Sequence, residues 1–154
     1  MKTIKQFLLI DQADRKLQPF KVAGKVIVPS RGWINTIRNA LNMSLSKTGK
    51  RLGITAPSVK EMEEREVSGS ITLNTLREAG KALDMRLVYG FVPQSGSIRK
   101  TISNRAKEVA THLVSRTSQH MRLEDQLTTD SQLKKAIKLK TDEIIASMPK
   151  ILWD

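Results

Sequence analysis

Between Ser44 and Glu66 the chain spaces small, capping and basic residues in a way that suits non-covalent recognition. Ser44 and Thr55 each stand where a helix N-cap belongs. Pro57 falls in the first turn that follows, where a missing N–H costs little. Gly49 is small at a point where two helices must approach closely, and Gly53 can end the first helix by taking a left-handed backbone conformation. Ile54, Val59 and Met62 would hold the second helix to a core. The spacing predicts a helix-turn-helix over about Ser44 to Glu66. In such a unit one helix braces the other, which lays its N-terminal side chains in the major groove of double-stranded DNA. Helix N-termini offer N–H donors to phosphate. Lys47, Lys50 and Arg51, with Arg31 ahead of the preceding helix, suit phosphate contact. Lys21 and Lys25 would form a basic arm toward a minor groove. The alternative is a plain helical hairpin with a glycine turn. The outward face is short-chained and polar, unlike a packing surface, and favours the binding unit.

No other constellation points to chemistry. His112 and His120 are the only histidines, eight apart, with no third ligand type at metal spacing. There is no cysteine, so no disulfide framework and no thiolate metal site. No glycine-rich phosphate loop and no Gly-x-Ser-x-Gly elbow occurs. Tyr89 sits in an apolar run that reads as core or interface. The expectation is a protein that is not an enzyme and uses no cofactor and no metal.

Charge points the same way. Over 154 residues, 27 basic side chains face 15 acidic ones, a formal excess of +12. A domain that basic usually meets a polyanion: nucleic acid, an anionic membrane or an acidic protein. No apolar run approaches the ~18 residues of a membrane span. The N-terminal patch Phe7-Leu8-Leu9-Ile10 is too short for a signal peptide and runs into Asp11. The expected location is cytoplasmic, with no membrane partner.

These residues need elements to position them. Residues 3–18 read as a helix ended by Pro19. Lys21 to Arg31 reads as an arm, with Val22, Val26, Ile27 and Val28 able to form a short strand. A helix starts at Gly32 and carries Trp33, Ile34, Ile37, Leu41 and Met43. The helix-turn-helix follows, then the loop Ser68-Gly69-Ser70. The next helix is capped by Thr72 or Asn74 and carries Leu73, Leu76, Ala79 and Leu83. Met85 to Pro93 is β-branched and aromatic and reads as one strand, paired with residues 25–28 or with the same strand of a second subunit. Pro93 to Ser97 is a linker. A long helix is expected from Ile98 to Leu123, with Ile102, Ala106, Val109, Ala110 and Leu113 inward. Another is expected from about Asp130 to Met148, stopped by Pro149. Trp153 is expected to dock in a core or interface. The organisation is thus residues 1–30, an N-terminal helix and arm; 31–93, a helix-turn-helix domain ending in a strand; and 94–154, a helical extension for dimerisation or partner binding.

The helix from Ile98 carries Arg99, Lys100, Arg105, Lys107, Arg116 and Arg122 against Glu108. It reads either as an extension of a DNA footprint or as a surface for an acidic protein.

Gly32 to about Leu83 resembles the lambda-repressor/Cro (XRE) family. The likeness rests on Ile37-Arg38-x-x-Leu41-x-Met43-Ser44, Thr48-Gly49-x-x-Leu52-Gly53-Ile54-Thr55 and Val59-x-x-Met62-Glu63. It implies that Arg38 pairs with Glu63 and that Thr55, Ala56, Pro57, Ser58, Lys60 and Glu61 face bases. Ala56 and Pro57 would touch thymine methyls. Ser58 would donate or accept, Glu61 would accept from cytosine N4, and Lys60 would reach guanine or phosphate. The first two helix positions carry no glutamine or arginine, which implies weaker direct readout helped by DNA shape. Over most of the chain to about residue 126, the sequence resembles the mobile mystery protein A family. The residues are Gly32-Trp33-Ile34-x-x-Ile37-Arg38-x-Ala40-Leu41-x-Met43-Ser44, Ile71-Thr72-Leu73-x-Thr75-Leu76, Leu87-Val88-Tyr89-x-Phe91-Val92-Pro93 and Thr117-Ser118-x-x-Met121-x-Leu123-Glu124-x-Gln126. That likeness implies a DNA-binding, antitoxin-like regulator beside a Fic-domain protein. Fic inhibitory helices carry Ser or Thr four residues before Glu. No glutamate here has either at that distance.

The sequence therefore predicts a mainly α protein: a lambda-repressor-like helix-turn-helix domain with an N-terminal helix, one short β-strand and a C-terminal helical extension. Its expected role is autoregulatory, sequence-specific repression as a bacterial, nucleoid-associated homodimer. The operator would be a pseudo-palindrome with half-sites about 10 bp apart or a multiple of that. The expected DNA contacts are Ser44, Lys47, Arg51, Thr55, Ala56, Pro57, Ser58, Lys60 and Glu61. The alternative is direct inhibition of the partner toxin, with DNA secondary.

Overall fold

The computed structural model describes residues 2–123 and 129–154. Its elements are α1 (Lys2–Leu17), α2 (Phe20–Ala23), α3 (Gly32–Ala40), α4 (Leu45–Leu52), α5 (Ala56–Ser68), α6 (Leu73–Ala82), α7 (Ile98–Leu123), α8 (Asp130–Ser147) and a 3-10 turn, Lys150–Trp153. The chain divides into two compact units: Lys25–Gly90, and Met1–Gly24 together with Phe91–Asp154.

In the unit Lys25–Gly90, hydroxyl caps start three of the four helices. Ser44, Thr55 and Thr72 are extended, and each side chain accepts from the backbone N–H three residues on. Such caps satisfy donors that a helix leaves orphaned and are worth about 1 kcal/mol each. Gly53 and Gly69 close α4 and α5 at φ +70° and +80°. The core is Ile34 from α3, Met62 from α5, and Ala79 and Leu83 at and after α6, lined by Ile37, Met43, Leu52, Ile71 and Leu76. Val59 is also fully buried.

In the other unit α7 and α8 pack side by side, and α1 lies on α7. Its core joins Ile10, Ile102, Ala106, Ala110, Ile144 and Leu152. Ile102, Ala106 and Ala110 recur every four residues, so they form one stripe on α7. The alanines let the neighbouring helices come close. Asp14 of α1 caps α7, accepting from the amides of Ile98 (2.7 Å) and Arg99 (3.2 Å). Asp11 pairs with Arg99 beside it. Thr129 and Gln132 form a reciprocal capping box at the start of α8.

The expected fold class is corrected here. Every regular element among the described residues is helical: they form eight α-helices and one 3-10 turn with no β-strand, where a lambda-repressor-like domain with one short strand was expected. Residues 85–93 carry no regular structure, and 86–92 make no backbone hydrogen bond among the described residues. The stretch 25–28, the expected partner, is likewise without a backbone hydrogen bond among the described residues. β-branched composition favours a strand only when a neighbour supplies the ladder and the packing face. Val22 belongs to α2, not to a strand. Trp153 is 58% exposed, and its neighbour Leu152 fills the core at 1%. No helix among the described residues is long and apolar enough to cross a membrane. Glu124 and Gln126 of the family motif lie outside the described residues.

Candidate nucleic-acid interface

The contact of α4 with α5 is set by backbone. A Cβ on Gly49 would lie 2.6 Å from the carbonyl oxygen of Ile54 and 3.2 Å from the carbonyl carbon of Thr55. Only glycine lets the linking turn run that close to α4. The Gly49 carbonyl accepts from the Ile54 amide at 2.9 Å, which fixes the turn. Ile54 itself is 37% exposed, so it joins α5 to the unit mainly through its backbone. Thr48 is buried beside Gly49, and its hydroxyl donates to the Ser44 carbonyl.

Two carboxylates one turn apart on α5 hold α3. Glu63 meets Arg38 at 2.5 Å and also accepts from the side-chain amide of Asn35 at 2.8 Å. Both members of the ion pair are buried. A second Arg38 nitrogen donates to the Met43 carbonyl, so the guanidinium also fastens the loop after α3. Glu66 accepts from the amides of Trp33 (2.7 Å) and Ile34 (2.9 Å) and caps α3 from outside the helix. Gly32, at φ +80°, makes room for it: a Cβ there would lie 2.7 Å from the Glu66 carboxylate. The Arg38–Glu63 pair was legible by resemblance. The Glu66 cap and the Gly32 gap were not, since their only signal is a carboxylate 33 residues from the amide it caps.

With Val59, Met62 and Glu63 turned inward, α5 presents Pro57, Lys60 and Glu61 to solvent, with Ala56 and Ser58 half-buried. Thr55 accepts from the Ser58 amide at 3.3 Å, and the two hydroxyls meet at 2.8 Å. The first turn of α5 therefore offers few free amides, since Pro57 has none and Ser58 is taken. At the start of α4, Ser44 takes the Lys47 amide at 3.1 Å, while the amides of Leu45 and Ser46 have no partner among the described residues. Of the two helices, the bracing one has the better N-terminus for phosphate. Lys47 is exposed beside it. Arg51 is held by Asp84, with both carboxylate oxygens near one guanidinium nitrogen at 3.1 and 3.2 Å. Glu61 lies 4.0 Å from Arg65 on the same helix. Arg31 and Lys60 line one groove with Asn35 and Glu64, which places a cation from each of two segments along the flank of α5.

His112 and His120 are exposed on α7. No group of three potential metal-ligating side chains occurs among the described residues. Compared with protein-family models, curated proteins and solved structures, the chain matches none.

Proposed function

We propose that the protein is a sequence-specific, double-stranded DNA-binding transcriptional repressor. It reads its site with the N-terminal half of α5, in the manner of a helix-turn-helix. One observation carries this reading. The inner side of α5 is fixed to α3 by two carboxylates, and the turn leading into α5 is fixed to α4 by the Gly49 contact, while Pro57, Lys60 and Glu61 stay exposed. A reading helix needs that combination: rigidity on one side, polar side chains and access on the other. Lys47 and the free amides at the start of α4 supply phosphate contact, and Arg51 joins them on leaving Asp84. One such helix reads too few base pairs for a genome, so the acting species is a homodimer on a pseudo-palindromic operator. The protein works in the bacterial cytoplasm on the nucleoid. By its resemblance to the mobile mystery protein A family, it regulates its own operon as the antitoxin-like partner of a Fic-domain protein.

A second reading, direct inhibition of a protein partner, is supported by the exposed apolar run Val88, Tyr89 and Phe91, which are 63%, 58% and 81% accessible.

The test is binding to the DNA upstream of its own gene against a scrambled fragment, at two salt concentrations, with Ser58→Ala/Lys60→Ala alongside. Promoter-selective binding that the double variant loses upholds the repressor reading. Equal, salt-labile binding to both fragments, unchanged in the variant, overturns it in favour of the protein partner.

A further inference from the structure

The unit that lacks α5 carries the larger share of the positive charge: residues 1–24 and 91–154 hold 16 basic against 9 acidic side chains, and residues 25–90 hold 11 against 6. Part of it converges. A groove of about 550 Å³ between α7 and α8 is lined by Lys107 and Thr111 from one helix and by Lys134, Ile137, Lys138 and Thr141 from the other, with Asp142 beside them. Lys134 and Lys138 are one turn apart and share a face of α8. Elsewhere in this unit Arg99 pairs with Asp11, Arg105 with Glu108 and Lys140 with Glu143. Lys107, Lys134 and Lys138 have no carboxylate within 4.0 Å among the described residues, although Asp142 lines the same groove.

We propose that this α7–α8 groove is a second nucleic-acid contact, which binds the phosphate backbone without reading sequence. The chemistry favours a polyanion backbone over an acidic protein. Lysines are mobile point charges suited to phosphate. A protein interface needs a buried aromatic or arginine anchor, and the groove offers none, only the half-buried Ile137. The Thr111 and Thr141 hydroxyls donate to their own helix, at 2.7 Å each, so the cations alone supply the attraction. The inference rests on the DNA-binding reading above.

The experiment is a salt series, from about 50 to about 200 mM, of full-length protein binding its own promoter fragment and a scrambled one. Lys107→Gln/Lys134→Gln/Lys138→Gln is compared with wild type and with Lys5→Gln/Lys16→Gln/Lys150→Gln, which removes equal charge from exposed lysines outside the groove. Each neutralised phosphate contributes about 0.9 to the slope of log K against log salt. The groove variant is expected to lose roughly 2–3 units of slope on both fragments, with promoter preference retained. The control triple keeps the slope. An unchanged slope in the groove variant overturns the inference, as does an equal loss in both triples. An unchanged slope with lost binding to poly-glutamate also overturns it and assigns the groove to an acidic protein. Absence of promoter preference in wild type is a separate outcome: it sinks the repressor reading, and the slopes on scrambled DNA still decide the groove.

Discussion

Arg38 and Glu63 form a buried ion pair, 2.5 Å apart, that ties α3 to the middle of α5. Removing one member strands the other charge in the protein interior, and such losses run to roughly 3–5 kcal/mol. Arg38→Met is expected to destabilise by that amount in urea unfolding. Adding Glu63→Leu is expected to restore much of it, less what the orphaned Asn35 amide costs. A double variant as unstable as Arg38→Met alone would place the loss in packing, not in the stranded carboxylate.

Gly49 and Gly53 are glycines for different reasons, and alanine separates them. At Gly49 the new Cβ meets backbone, which cannot swing aside, so α4 and the turn before α5 must part. Overpacking of this kind costs about 1–3 kcal/mol. Gly49→Ala is expected to weaken promoter binding even where the protein remains folded. Gly53 has open space around it and only its φ of +70° to defend. Gly53→Ala should cost about 1–2 kcal/mol and leave promoter affinity of the folded protein unchanged. Equal affinity for the two variants would deny that the α4–α5 spacing matters for DNA.

Glu66 and Gly32 should prove coupled. Glu66→Ala leaves the Trp33 and Ile34 amides without their acceptor, at about 0.5–2 kcal/mol. Gly32→Ala in wild type suffers both its positive φ and the collision with the Glu66 carboxylate. In the Glu66→Ala background only the φ penalty remains. Thermal unfolding of the four proteins should therefore show the double variant more stable than the sum of single losses predicts. Strict additivity would mean that the carboxylate moves aside freely.

On the DNA-binding reading, Asp84 would compete with phosphate for Arg51. It holds Arg51 at the surface, where such a pair is worth little for stability, 0–1 kcal/mol at most. Asp84 also has φ +55°, a conformation that asparagine tolerates. Asp84→Asn should keep the fold, free Arg51, tighten promoter binding at low salt and steepen the salt slope by up to about 0.9. An unchanged slope would remove Arg51 from the phosphate contacts.

The helices were legible where local rules decide them. Ser44, Thr55 and Gly53 fix the limits of α4 and the start of α5 through contacts within a few residues. The apolar stripe Ile102, Ala106 and Ala110 marks the inner face of α7 by period alone. The strand was misread because a strand is a property of pairs: Leu87 to Val92 has the composition, and nothing in one sequence says whether a second segment will lie beside it. Leu152, and not Trp153 as expected, enters the core for a geometric reason. A 3-10 turn rotates successive side chains by about 120°, so only one of two neighbours faces inward, and size does not choose which.

The candidate site divides similarly. The capping hydroxyls and the inward residues of α5 follow from spacing. The engagement of Arg51 by Asp84, and of α3 by Glu66, depends on where distant helices come to rest, and neither carboxylate stands out from the other acidic residues of the chain.

The unit containing α7 is assembled from two stretches of chain, with residues 25–90 between them. During synthesis, α1 leaves the ribosome long before its cap acceptor Asp14 can meet the Ile98 amide, 84 residues downstream. By then every contact internal to residues 25–90 is already available, and that segment can fold as translation proceeds. Until α7 follows, the apolar side of α1, with Phe7 and Ile10, has no cover. Synthesis thus passes through an interval in which residues 25–90 are competent to fold while α1 waits with its apolar side uncovered. A chaperone or an early-made partner would find its opportunity in that interval.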